Sequence, residues 1–194
     1  GKGLQPDWIS RLIEPIRGVY DFVVTSFQRQ YFEGLVGSLF TAPLLEVFYG
    51  YNINGSIGGV YAISHDTAED FCADIKFWTD VTRDFGIDPW LVSRAIHWEK
   101  RICEVGLGAK LEEISLEKMN YIFKERARAM FECIKRDEDH WPGSRFIVRT
   151  PDLYSSKAHD VLYKLTGSTR GLTQFVNSYY HHKDLNDTAY RTSI

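Results

Sequence analysis

Between Asp7 and Gln30, apolar residues recur as Ile9, Leu12/Ile13, Ile16, Val19/Tyr20, Val23 and Phe27, the three-and-four spacing of an amphipathic helix. Pro15 restarts or kinks that helix. A second, more apolar helix is predicted over about residues 31–48, broken near its end by Pro43. From Tyr49 to Ile63 the pattern changes to short aromatic and β-branched runs around Asn54-Gly55, where Asn-Gly readily supplies positive φ, so a small hairpin or ordered loop is expected over residues 49–63.

Helical spacing then resumes. Asp66-Thr67-Ala68-Glu69 resembles a capping box, and Phe71, Ile75, Trp78 and Phe85 follow on one face up to Gly86. Asp88-Pro89 reads as an N-cap followed by the residue best tolerated at the first helical position. Leu91, Ala95, Trp98, Ile102 and Val105 form the stripe of that helix, with Gly106 and Gly108 as stops. The next helix covers about residues 115–135, with Met119, Phe123, Ala127 and Met130 inward. His140–Ser144 reads as a loop, Arg145–Thr150 as extended chain and Pro151-Asp152 as a turn, before helices at about 155–165 and 169–182 and a polar, frayed tail over 184–194. Consecutive helices with short connections predict an all-α, bundle-like fold.

Composition supports a folded chain. Hydrophobic residues make up 44% and aromatics 14% of 194 residues, enough to build a core and unlike a disordered segment. One domain over residues 1–194 is the expectation. The opening Gly1-Lys2-Gly3 lacks an initiator Met, which favours a piece excised from a longer protein. The first residues lack a signal-peptide layout, and the most apolar stretch, residues 35–49, is too short and too interrupted to span a bilayer. Cys72, Cys103 and Cys133 are odd in number and widely spaced, which fits reduced thiols in an intracellular, cytoplasmic or nuclear, protein better than a disulfide framework or a zinc site.

Charge changes the picture along the chain. Residues 1–109 hold 9 Lys/Arg against 14 Asp/Glu, whereas residues 110–194 hold 14 against 12. The basic excess accompanies groups suited to phosphate. Arg145 and Arg149, four apart in an extended segment, share one side of it. Lys157 and Lys164 lie on the next helix, and Ser168, Thr169 and Arg170 stand at a Gly-flanked helix start where backbone N–H groups can meet an anion. The final helix pair resembles a helix-turn-helix, which makes Gln174 and Asn177 candidate base contacts. A nucleic-acid-binding module, for DNA or RNA, is therefore the leading expectation.

Two other functions compete. A helical interaction or scaffolding domain would present Tyr49, Tyr51 and Tyr61 to a protein partner. A metal-dependent phosphohydrolase of the His-Asp type would use His159-Asp160, with His97 or His140 upstream and Asp184 or Asp187 downstream. No nucleotide-binding loop, nucleophile elbow or zinc-protease motif is present, so no catalytic residue, resident metal or cofactor is assigned. Arg94, His97 and Arg101 read as one solvated helix face.

Overall fold

The structure, a computed structural model, describes residues 5–28, 34–53, 59–109, 116–141 and 147–154. All of them belong to one compact unit, residues 1–154. The elements are α1 (Pro6–Gly18), β1 (Phe22–Gln28), α2 (Ala42–Tyr49), β2 (Ala62–Ile63), α3 (His65–Asp74), α4 (Ile87–His97), β3 (Ile102–Ala109), α5 (Leu116–Arg136) and β4 (Asp152–Tyr154). A π-helical turn, Gly37–Thr41, leads into α2.

The expected all-α bundle gives way to a mixed α/β arrangement. Four strands form one sheet in the order β2-β1-β3-β4, with β1, β3 and β4 parallel and β2 antiparallel to β1. Two strands were concealed by helix-like spacing. In β1, Phe22, Val23, Val24 and Thr25 are successively buried, because a parallel strand covered on both faces needs apolar residues at every position. Val19, Val23 and Phe27 satisfy a helical period by coincidence, and α1 has already stopped at Gly18.

The second concealed strand follows α4. That helix ends at His97, Glu99 adopts a left-handed φ of 53°, and the chain re-enters the sheet at Ile102. Ile102 and Val105 therefore belong to a strand, not to the helical stripe of Leu91 and Ala95.

Two hydrophobic clusters define the layers. Trp8 and Leu12 of α1 pack with Val23, Cys103, Val105 and Leu107 on one face of the sheet. On the other face Phe22, Val24 and Ile102 pack with Leu45, Phe71, Trp90, Val92, Ala95, Ile96, Met130 and Ile134 from α2 to α5. Both crossovers, α4 into β3 and α5 into β4, lie on this second face, leaving α1 to cover the first.

Helix α5 falls where expected, but its buried stripe is Ile122, Ala129, Met130, Cys133 and Ile134, while Phe123 remains 44% exposed. Helix α3 is capped by Ser64, whose Oγ accepts the Thr67 N–H at 3.3 Å, two residues earlier than the Asp66 cap expected. Asp152 stands in a strand opposite Cys103 and not in a turn. The described flanks of the expected hairpin are not each other's partners: Tyr51 bridges Arg149, and Ala62–Ile63 pairs with β1. Asn54-Gly55, the two C-terminal helices and the polar tail lie outside the described residues.

Candidate functional site

Open sheets of parallel strands bind ligands beyond the carboxyl ends of their strands, where loops splay apart. Strand alternation shows what stands there. Ile102 faces α4 and α5 while Cys103 and Val105 face α1, so Glu104, Gly106 and Gly108 point to the α4–α5 side, as does Ser26 on β1. Glu104 is 2% exposed, a carboxyl in the middle of the central strand. Gly106, Gly108 and Ser26 beyond it are all half-buried.

The pairing slips at this point. Ser26 pairs with Gly106 but Gln28 with Ala109, so β3 carries one residue more than β1. Gly108 takes a φ of 80°, which a side chain would strain, and a Cβ built there meets nothing within 4 Å. At Gly106 a Cβ would lie 3.8 Å from Ser26 Oγ. The bulge thus exposes glycine backbone and a hydroxyl beside a buried carboxyl.

A second polar group occupies the same end of the layer. Asp88, in the first turn of α4, is buried rather than capping the helix. Its Oδ1 accepts the Tyr61 hydroxyl at 3.0 Å, and its Oδ2 takes the Arg126 guanidinium of α5. Burial, and then the Asp88 charge, push the Tyr61 phenol well above its ordinary range. Gly59, at φ 68°, closes over this carboxylate, and a Cβ there would lie 3.9 Å from Oδ1. Tyr61 precedes β2 and Val23 pairs with Ala62, so the Gly59–Tyr61 segment runs beside the carboxyl half of β1. Thr25 Oγ1 fastens it by donating to the Val60 carbonyl at 2.9 Å.

The amino edge holds a different network. Arg94, expected on a solvated face, is 3% exposed and pairs with Asp137 at the end of α5. Tyr49 donates its hydroxyl to the same carboxylate at 2.8 Å. His97 Nδ1 lies 3.7 Å from Asp137 Oδ1, and the His97 and His140 rings meet edge to face at 4.4 Å. Arg101 instead leaves this group and forms a two-pronged pair with Asp21 at 2.8 Å.

Arg149 is the one described member of the expected basic strip. It is exposed, its guanidinium lies 5.7 Å from the Tyr51 ring centroid, and no carboxylate pairs with it among the described residues. Arg145, Lys157, Lys164, Ser168, Thr169, Arg170, Gln174 and Asn177 lie outside those residues, as do His159, Asp160, Asp184 and Asp187. The tyrosines offered to a protein partner are turned inward: Tyr51 is 7% exposed, Tyr49 binds Asp137 and Tyr61 binds Asp88.

No protein family model matches the chain, and no curated protein is detectably similar to it in sequence. Cys103 and Cys133 are buried thiols, Cys103 pushed up to about 12 by desolvation, and neither offers a ready thiolate. Among the described residues no helix is long and apolar enough to cross a membrane.

Proposed function

We propose that this chain is a small-molecule-binding α/β domain whose ligand sits over the carboxyl ends of β1 and β3. The observation that carries this is the bulge at Gly108, which leaves glycine backbone and Ser26 half-buried beside the buried Glu104. The general rule for parallel sheets supports it as a fold-level analogy. The charges indicate the ligand class. Among the described residues, Asp88 and Glu104 place two acids at this end beside Arg126, and Ser26 adds a hydroxyl, so the surroundings are rich in acceptor oxygens. A ligand rich in hydrogen-bond donors, a polyol, sugar or amine, complements that balance.

Titration of 15N-labelled protein with a panel of monosaccharides, polyols and primary amines tests this. A donor-rich member is expected to shift the Gly106 and Gly108 amides, and the response should disappear in Gly106→Val, which fills the space beside Ser26. Shifts confined to other regions, or none with any member, would refute the site.

Nucleic-acid binding remains a second proposal, resting here on the exposed Arg149 over Tyr51. Fluorescence anisotropy on single- and double-stranded DNA and RNA, titrated with salt, distinguishes the two. Binding weakened by Arg149→Ala, with a salt slope lower by roughly one counterion, favours this second reading. Absence of binding to every nucleic acid at low salt removes it.

A further inference from the structure

Helix α5 carries an apolar flank that the core does not absorb. Phe123, Ala127 and Phe131 are four residues apart and so share one side of the helix, yet Phe123 is 44% and Phe131 55% exposed. They are not isolated. The Phe40 ring, from the π-helical turn before α2, reaches both, with its centroid 5.2 Å from that of Phe123 and 6.0 Å from that of Phe131. Further along the same two helices Phe48 meets Trp141 at 5.0 Å. Leu39, Pro43 and Val47, again four apart, are exposed on the α2 side. Single apolar residues on a surface need no explanation, but an aromatic seam between two helices, continuous and open to solvent, marks an interaction surface.

Charge indicates what fits there. Lys124 and Arg128 stand seven and three residues before Phe131, and Lys135 four after it, so a basic edge borders the seam on α5. Arg128 lies 3.4 Å from Glu125, but among the described residues no carboxylate pairs with the exposed Lys124 or Lys135. Nearby acids are engaged elsewhere: Glu132 accepts the Thr79 hydroxyl at 2.7 Å, and Glu46 accepts the Asn52 amide at 3.1 Å.

We propose that this seam is the docking surface for an amphipathic helix of a partner protein, with apolar side chains laid along Phe40, Phe123 and Phe131 and an acidic edge turned to Lys124 and Lys135. A second copy of the chain complements the seam less well. Opposed α5 edges would set lysine against lysine, and the exposed α2 stripe offers no carboxylate to the basic edge. Leu39, Val47, Phe123 and Phe131 together expose on the order of 500 Å², short of the ~800 Å² per partner typical of a stable pairing of globular subunits. An anionic bilayer would also meet Glu117 at one end of α5 and Glu138 and Asp139 at the other, all exposed.

Two helical peptides of about 18 residues, five turns long, put this to the test on the full chain. They share one leucine stripe and differ in its edge, glutamate in one and lysine in the other. NMR titration is expected to show saturable binding of the glutamate-edged peptide, with shifts at Phe123, Lys124, Phe131 and Lys135, and at least tenfold weaker binding of its lysine-edged counterpart. Phe131→Gln should weaken the first at least tenfold, and joint Lys124→Glu and Lys135→Glu should reverse the preference. All three side chains are exposed, so these variants keep the fold, which near-ultraviolet circular dichroism verifies. No binding, equal affinity for the two peptides, or an unreversed preference would overturn the assignment. So would three other results: binding to vesicles of phosphatidylserine and phosphatidylcholine but to neither peptide, a dimer in sedimentation that Phe131→Gln abolishes, or Phe123 and Phe131 ring signals that a soluble nitroxide fails to broaden in the free chain. Those would assign the seam to lipid, to a second copy and to the chain itself, respectively.

Discussion

The two ends of the α4–α5 interface use the same chemistry with the charges exchanged. At the carboxyl edge α4 supplies the acid, Asp88, and α5 the base, Arg126; at the amino edge α4 supplies the base, Arg94, and α5 the acid, Asp137. Such a pattern fixes the register of the two helices, since sliding one along the other would separate both pairs. The surroundings differ. Arg94 and Asp137 are almost fully enclosed and further bound by Tyr49, whereas the Asp88 pair lies beneath the exposed Gly59, at φ 68°. One end is a closed fastening with two histidines beside it, and at the other, among the described residues, nothing lies within 4 Å of a Cβ built on Gly108. This difference is why the ligand is assigned to the carboxyl edge.

The largest effect should come from breaking the closed end. Asp137→Ala strands the Arg94 guanidinium in the interior and is expected to cost about 3–5 kcal/mol in urea unfolding. Joint replacement by Arg94→Met and Asp137→Leu should recover most of that loss, because desolvation of both charges is avoided. Asp88→Ala should cost no more than Asp137→Ala, and its effect should extend to Gly59–Tyr61, where hydrogen exchange would accelerate. If Asp88→Ala proved the more destabilising, the amino edge would not be the principal fastening.

Acid should weaken the amino edge selectively. His97 binds its proton less readily in the fold, at about 4, than in the unfolded chain, where its ordinary value is 6.5. Between these values the unfolded state carries more protons at this residue, so its contribution to stability falls as pH drops from about 6.5 to about 4. Thermal melts across this range should show a smaller acid dependence in His97→Gln than in the parent. Equal slopes would show that His97 is not shielded as its burial implies.

At the carboxyl edge a smaller, local penalty is expected. Gly108→Ala places a side chain at φ 80° in open space, so strain acts without a clash and the cost should be about 1 kcal/mol. Gly106→Ala, at ordinary contact distance from Ser26, should cost less. A reversed order would mean that the bulge relaxes and that its geometry does not hold the site.

These residues also show how far the sequence could be read. Helix α5 and the start of α4 at Asp88-Pro89 were legible because apolar spacing and helix-start residues agreed, whereas the end of α4 at His97 was read through into β3. The fold class was not legible. In β1 and β3 an apolar run buried on both faces satisfied period 2 and period 3.6 together, and Gly106 and Gly108 passed for helix stops when they formed a bulge. The ion pairs were hidden for another reason. Arg126 and Asp137 extend the buried stripe of α5, but a charge is scored as solvent-facing unless its partner is known, and those partners lie 38 and 43 residues away. Asp88 likewise passed for a cap because an acid before proline commonly is one. The signal that could have found them is the reciprocal order, acid then base on α4 and base then acid on α5, at helical spacing.

Arg149 supplies the smallest effect on stability and a direct contest between the two edges. It stands ahead of β4, on the amino side, and its exposed side chain lies over the Tyr51 ring. Surface substitutions of this kind usually change stability by no more than about 0.5 kcal/mol, so Arg149→Ala should unfold with the parent midpoint. Its backbone bonds, Arg149 N–H to Gly50 O at 2.8 Å and Asn52 N–H to Arg149 O at 2.8 Å, survive the change. Any loss of phosphate or nucleic-acid binding in this variant is then a loss of contact and not of fold. If such binding exists and falls with Arg149 while Gly106→Val leaves it intact, the working surface is at the amino edge. If Gly106→Val alone removes ligand binding, the carboxyl edge is the site.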